Sequence, residues 1–450
     1  MQPFEIDLAP AGGHAERDEP ANIVIGSNDV IFTRLIRQGS NEPEDHVCAP
    51  PGQLAFWLVD NWWRLISECV PSSGQTSDWR LAHDMSSIGG FAWPRLAIWG
   101  EGGRIGLTSR SDPAGVVGPV CYLTNALIYV ALSAFEDASL RFVKHVADEA
   151  AGYLSDWAAL QALCQRLEAE RADPELAAWR RLEAELGYDV DQAPDSLMAE
   201  LAKFSAEYGA AAIAEAALAT KGADTARVLA QEIETANRQH WQCDLARTAK
   251  LVVHIDRDTG DPPWALAEAA AATLRKAAGY PNGPLTNAAL SDLLHVRAAA
   301  FRTSTSESRV ELAYGLRLNT GRRRGEVVSL AAIWSRDRRF EFARALGDAI
   351  WSEGETLGPL TGAKSERQKF QRAFAQSLLC PYKDLLAYVG ADRSDGALSA
   401  AAHHFFVSER VVRALLVNKR DLARRRLGLV FLPTTLAGAE VTFEDAVEAA

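Results

Sequence analysis

Histidine, cysteine and paired carboxylates build most active sites, and this chain deploys them sparsely. His83 stands beside Asp84 in DWRLAHDMSSIGG. A phosphohydrolase-type metal site would need a further His and Asp near that pair, so a core histidine is the expectation. His403 and His404 are adjacent. On a helix, neighbours point about 100° apart, so the two cannot readily share one metal ion, and one buried and one exposed ring is expected. The cysteines at 48, 69, 121, 164, 243 and 380 form no CxxC pair. That scatter fits reduced thiols better than a disulfide scaffold or a zinc ribbon. No Walker A loop, GxGxxG or GxSxG is present, which leaves ATPase, dehydrogenase and α/β-hydrolase chemistry without support.

The cationic clusters suggest binding instead. Arg322, Arg323 and Arg324 lie between two predicted strands, and Arg336, Arg338 and Arg339 open a predicted helix. Converging, they would make a groove for an anion, a nucleotide or an acidic peptide; dispersed, they are solvated loop arginines. The stretch ALSAAAHHFFVSERVVRALLVNKR reads as helix, turn, helix, with Ser408 capping the second helix. Arg410, Arg413, Lys419 and Arg420 would then face DNA, with Arg424, Arg425 and Arg426 on the backbone. The alternative is a structural hairpin with a solvated basic face. The net charge of −12 argues against the whole molecule being an electrostatic nucleic-acid binder.

These residues need elements to position them. At 450 residues the chain exceeds one ordinary core, and two to three domains are expected. No apolar run reaches membrane-spanning length and the N-terminus lacks a signal pattern, so a cytoplasmic protein is expected. Residues 1–20 read as a tail, and 21–121 as a small α+β domain. In that domain Asn22–Ile36 predicts strand, turn, strand, residues 53–66 a core helix carrying Trp57, Trp62 and Trp63, and FAWPRLAIWG with GRIGLTS a strand pair. Residues 122–254 are Ala-, Leu- and Glu-rich and predict a helical domain. There ADPELAAWRRLEAELG has Pro in its first turn and stops at Gly187, and Asp195 or Ser196 starts the next helix. IDRDTGDPP at 255–263 is the best linker. After it come a helix ending at Gly279, a second one capped by Thr286 or Asn287, and two strands in SRVELAYGLRL and EVVSLAAIW.

Residues 335–381 carry the most information. A helix with Phe340, Phe342, Ala343, Leu346, Ala349 and Ile350 inward is followed by a polar loop and a second helix with Phe370, Phe374, Leu378 and Leu379, closed by Pro381. This order resembles the ImmA/IrrE-like metallopeptidase family. There, an Arg-Arg-Phe lead precedes a zincin helix H-E-x-G-H, and a downstream helix supplies an acidic third ligand. The matches are Arg338, Arg339 and Phe340; Ala343, Leu346 and Gly347; Phe374, Ala375, Leu378, Leu379 and Pro381; and then Val407, Ser408, Val411, Val412 and Leu415. The resemblance spans residues 263–435, with a tail at 436–450.

The departures fall on the chemistry. Two neutral imidazoles one helical turn apart and a Glu base are required. Here Arg344 replaces the first His, Ala345 the Glu and Asp348 the second His, with Glu366 near the third-ligand region. Arginine is permanently charged and cannot ligate zinc. The metal site is read as replaced by an ion pair of Arg344 with Asp348, four residues apart, or as simply abandoned. The expectation is a predominantly helical, multidomain α+β protein with a zincin-like C-terminal domain, no catalytic residues, no cofactor and no metal. The resemblance implies a bacterial regulatory or sensing role in stress, mobile-element or anti-phage settings, through a protein partner held near Arg344, Asp348 and Glu366. Two alternatives stand beside it: a metallopeptidase using Asp348, Glu366 and a histidine, and a DNA-binding regulator acting through residues 397–426.

Overall fold

The computed structural model of the chain describes residues 4–9, 20–40, 42–72, 74–112, 118–149, 157–252, 255–257, 260–304, 312–319 and 325–426. The chain is predominantly helical with small antiparallel sheets, and it divides into two compact units. The first comprises Met1–Ala206, Ile213–Ala226 and Ala363–Glu366; the second comprises Glu207–Ala212, Arg227–Gly362 and Arg367–Ala450. The linker expected at 255–263 therefore lies inside the second unit, and the helices expected to stand alone at 122–254 are shared between the two.

The first unit opens with six short strands: β1 (Glu5–Ala9), β2 (Ala21–Ser27), β3 (Val30–Ile31), β4 (Leu35–Arg37), β5 (Pro43–Glu44) and β6 (Val47–Ala49). The tail expected at 1–20 thus contains a strand, because β2 pairs along its length with Glu5–Ala9. The Trp-rich helix is two helices, α1 (Pro51–Asp60) and α2 (Trp62–Ser67), interrupted at Asn61; Trp57, Trp62 and Trp63 are all core. After α3 (Ser77–His83), strands β7 (Leu96–Gly100), β8 (Arg104–Ser109), β9 (Val120–Tyr122) and β10 (Ala126–Ala131) add two sheets, ordered β10-β8-β7 and β5-β4-β9.

Helices α4 (Leu132–Glu149), α5 (Trp157–Ala172) and α6 (Pro174–Glu185) complete the core. Phe135, Leu160, Leu167 and Ala184 share one buried cluster with Ile23, Trp62 and Leu96. A half-apolar sheet must be covered, and these helices supply the cover, which is why they do not form a domain of their own. The Pro start and the Gly187 stop of α6 are as its sequence predicts, and a cap at Asp173 adds to them. Asp173 accepts from the Glu175 and Leu176 amides, and Gly187 takes φ 85°, a left-handed stop.

Helices α7 (Asp195–Tyr208), α8 (Ala210–Thr220) and α9 (Thr225–Arg238) run through the region where the chain passes between units. The second unit continues with β11 (Trp241–Cys243), α10 (Leu245–Ala249), α11 (Pro263–Ala277) and α12 (Asn287–Leu294). The Thr286 hydroxyl caps α12 by accepting from the Ala289 amide. Then follow β12 (Gly315–Asn319), β13 (Glu326–Ser329), α13 (Ser335–Trp351), β14 (Leu357–Leu360), α14 (Glu366–Leu379), α15 (Tyr382–Val389), α16 (Asp395–His404) and α17 (Glu409–Arg426). The sheet is antiparallel in the order β11-β13-β12-β14. Phe342, Leu346, Phe370, Phe374, Leu378, Val412 and Leu415 share its core, while Phe340 and Ile350 are only half-buried. Among the described residues no helix is long and apolar enough to cross a membrane.

Candidate functional site

Asp348 lies on the buried face of α13 with no exposed surface. Its expected partner, Arg344, is not the one it has. Arg317 on β12 donates from Nε to Oδ2 at 2.7 Å, and Arg367 on α14 donates from Nε to Oδ1 at 2.7 Å and from a terminal nitrogen to Oδ2 at 3.2 Å. The Gln371 amide adds a bond to Oδ1 at 2.7 Å. Arg344 turns away, donating to the Thr361 carbonyl at 2.6 Å and to the side-chain oxygens of Gln368 and Gln371. The reason is reach: α14 delivers the Arg367 fork onto both oxygens and β12 adds Arg317 at Oδ2 from another element.

The network extends outward from the carboxylate. Arg317 also meets Glu326 at 3.1 Å and the Ser352 hydroxyl at 3.1 Å, and Arg367 meets Glu355 at 2.7 Å. Burial alone would raise the Asp348 carboxyl, yet Arg367 and Arg317 outweigh it and hold the group at about 2. Strand β14 admits this arrangement through Gly358. A Cβ there would lie 1.9 Å from Asp348 Oδ2 and 2.9 Å from Arg317 Nε, so a hydrogen is all that fits.

The zinc implied by the resemblance does not fit these residues. Both Asp348 oxygens already accept from guanidinium groups, Arg344 carries a fixed positive charge, and Ala345 has no proton-accepting group. Glu366 does not contribute at Asp348: its carboxylate accepts from the Gly103 amide at 3.0 Å and pairs with Arg104 at 3.2 Å within the first unit. Among the described residues no three His, Cys, Asp or Glu side chains converge to hold a metal ion.

The other candidates disperse. Arg338 and Arg339 are buried, not solvent-facing: Arg338 donates to the Ala300 and Ala332 carbonyls, and Arg339 to the Leu285 carbonyl and to Asn287. They tie α13 to its neighbours instead of lining a groove. Arg322, Arg323 and Arg324 lie outside the described residues, as do residues 436–450 and the side chains of Arg420, Arg424, Arg425 and Arg426. Arg410 is exposed, Arg413 pairs with Asp395 at 2.8 Å, and Lys419 pairs with Glu268. Both histidines of the 403–404 pair are exposed, against the expected split. His403 meets Arg336 at 2.9 Å, and His404 stacks on Tyr388 with ring centroids 4.3 Å apart.

His83 is the expected core histidine, and it has company that its sequence neighbours do not announce. Nδ1 faces the Ile98 carbonyl at 2.6 Å and Nε2 faces Glu68 at 3.0 Å. The carbonyl can only accept, so Nδ1 carries the proton there. Arg64 and Lys221 also reach Glu68, at 2.8 and 2.5 Å.

Sequence reasoning missed Arg317, Arg367, Gln371 and Glu68. The available signal was polarity in the wrong place: Arg317 interrupts GLRLN, a strand buried on both faces, and Gln371 sits on the helix face that also carries Phe370 and Phe374.

Compared with known protein families, with curated proteins and with solved structures, the chain matches none of them.

Proposed function

We propose that the chain is a non-catalytic, zincin-like regulatory or sensing protein that acts by binding a protein partner. The setting implied by the resemblance is bacterial stress, mobile-element or anti-phage regulation. The observation that carries the reading is the saturation of Asp348 by Arg317, Arg367 and Gln371, at the position where a zincin helix would present a metal ligand. A carboxylate so engaged has no lone pair directed at a metal, and the surrounding guanidinium groups repel one.

The partner would not use the groove expected near Arg344, Asp348 and Glu366, because Asp348 is fully buried. Exposed aromatic residues of the second unit serve better. Trp334 is 66% exposed and Phe406 is 46% exposed, and Phe406 holds a costly left-handed backbone position. Trp334 occupies the N-cap of α13 without a capping bond, and Phe406 takes φ 55°. Local conflict with ordinary preferences is expected where function is served. Arg336 and His403 lie between these rings in sequence and meet each other, which favours a partner segment with apolar and acidic residues.

The test is metal content per chain on full-length protein purified without chelator or metal-affinity tag. Near-zero transition metal, with no thermal shift on adding zinc, is expected. About one zinc per chain would overturn the reading.

A further inference from the structure

Among the described residues, strand β14 is the outer strand of its sheet and pairs only with β12. An outer strand offers its alternate backbone groups to any extended peptide that comes alongside. The Asn319 amide donates to the Thr356 carbonyl at 2.7 Å, so residue 356 faces β12 and residues 357, 359 and 361 face outward.

Four of those outward groups are engaged, each by side chains. The Leu357 carbonyl accepts from Arg367 at 3.2 Å. The Pro359 carbonyl accepts from Gln368 Nε2 at 2.8 Å and from Gln371 Nε2 at 3.2 Å, and Pro359 has no N–H to offer. The Thr361 amide donates to Gln368 Oε1 at 3.0 Å, and the Thr361 carbonyl accepts from Arg344 at 2.6 Å. Gln368 therefore donates to residue 359 and accepts from residue 361. That is the pattern one residue of a neighbouring parallel strand presents to the two residues flanking it. Gln368 and Gln371 are fully buried, so these bonds do not compete with water.

We propose that the polar face of α14, with Arg344, serves as a surrogate strand that closes the β14 edge to extended peptides. The four side chains of Arg344, Arg367, Gln368 and Gln371 hydrogen-bond to the edge as a neighbouring strand would. A partner is then recognised through side-chain contacts elsewhere and not by strand addition at this edge. The inference rests on the non-catalytic reading above, because a working peptidase would need a groove open to substrate backbone.

Amide hydrogen exchange on the full chain tests it. In the wild type, Thr361 should exchange within about tenfold of Val327 and Val328 on the interior strand β13, despite lying on an outer edge. Gln368→Met keeps the length of the side chain but removes its donor and acceptor; it should speed Thr361 exchange several-fold to about tenfold and leave β13 unchanged. A millimolar strand-forming probe, an alternating Val-Thr hexapeptide, should leave wild-type Thr361 exchange as it was. Wild-type exchange at the rate of an unstructured amide overturns the proposal even if the variant fails to fold. So does unchanged Thr361 exchange in folded Gln368→Met, or protection that rises with the probe. Cleavage of the probe would instead sink the non-catalytic reading, leaving Thr361 protection to decide the edge.

Discussion

Glu68 in the first unit and Asp348 in the second are both carboxylates with almost no exposed surface, and both are ringed by cations. Burial alone would raise both. In Glu68 the His83, Lys221 and Arg64 groups outweigh it and hold the carboxyl well below the usual range; Arg367 and Arg317 do the same for Asp348. The surroundings differ. The Glu68 cluster leads to the surface, since Arg64 also pairs with Asp78 and Asp189, whose side chains are more than half exposed. The Asp348 cluster turns inward, to Glu326, Ser352 and the half-buried Glu355. A buried carboxylate among basic side chains is therefore not in itself support for the zincin-like proposal, because the first unit has one as well. What sets Asp348 apart is its place on α13.

The largest expected effect tests that contrast directly. Asp348→Ala strands two buried guanidinium groups and should destabilise the second unit by about 3–5 kcal/mol in urea unfolding. Glu68→Gln leaves Arg64 with Asp78 and Asp189 and should cost less, about 2–3 kcal/mol. Equal losses would erase the distinction between an inward and a surface-linked cluster. Acid sharpens it: a depressed carboxyl adds stability above its unfolded value near about 4. That contribution is lost as pH falls through the folded value, about 2 for Asp348.

Glu232 should behave with the opposite sign. It is buried on α9; one oxygen accepts from the Ala313 amide, and the other has no hydrogen-bond partner among the described residues. Burial, with Glu341 nearby, pushes it up to about 7. Its contribution is full below the unfolded value near about 4 and is lost as pH rises through about 7, a swing of ~2–3 kcal/mol. Glu232→Gln should flatten the pH dependence of the second unit across that window in chemical denaturation; an unchanged slope would show that Glu232 is not its source.

The smallest effects compare the two units at their helix caps. Asp173→Ala in the first and Thr286→Ala in the second should each cost about 1 kcal/mol by thermal or urea unfolding. The Thr286 cap was legible, as were Gly187, the β7–β8 strand pair and the paired helices α13 and α14, because each signal is carried within a few residues of the element it shapes. The charge network was not legible. Asp348 finds its partners 31 positions upstream and 19 downstream, and nothing in local spacing selects Arg317 or Arg367 over Arg344. Arg338 and Arg339 were misjudged as solvent-facing for a related reason: their charge was visible, but the backbone carbonyls that receive them were not. The domain boundary failed at IDRDTGDPP because turn-rich composition marks a loop without saying whether the loop joins domains or crosses one.

Gly358 gives the Asp348 cluster a grammar of its own. With Asp348 Oδ2 where its side chain would begin, position 358 can tolerate nothing larger than hydrogen while position 348 carries an acid. The two positions, ten residues apart and on different elements, are bound to vary together. A chain that lost the acid at 348 would still meet Arg317 at 358, 2.9 Å from a Cβ there, so only the loss of both would free the position; one that changed 358 first would push the carboxylate off its guanidinium partners.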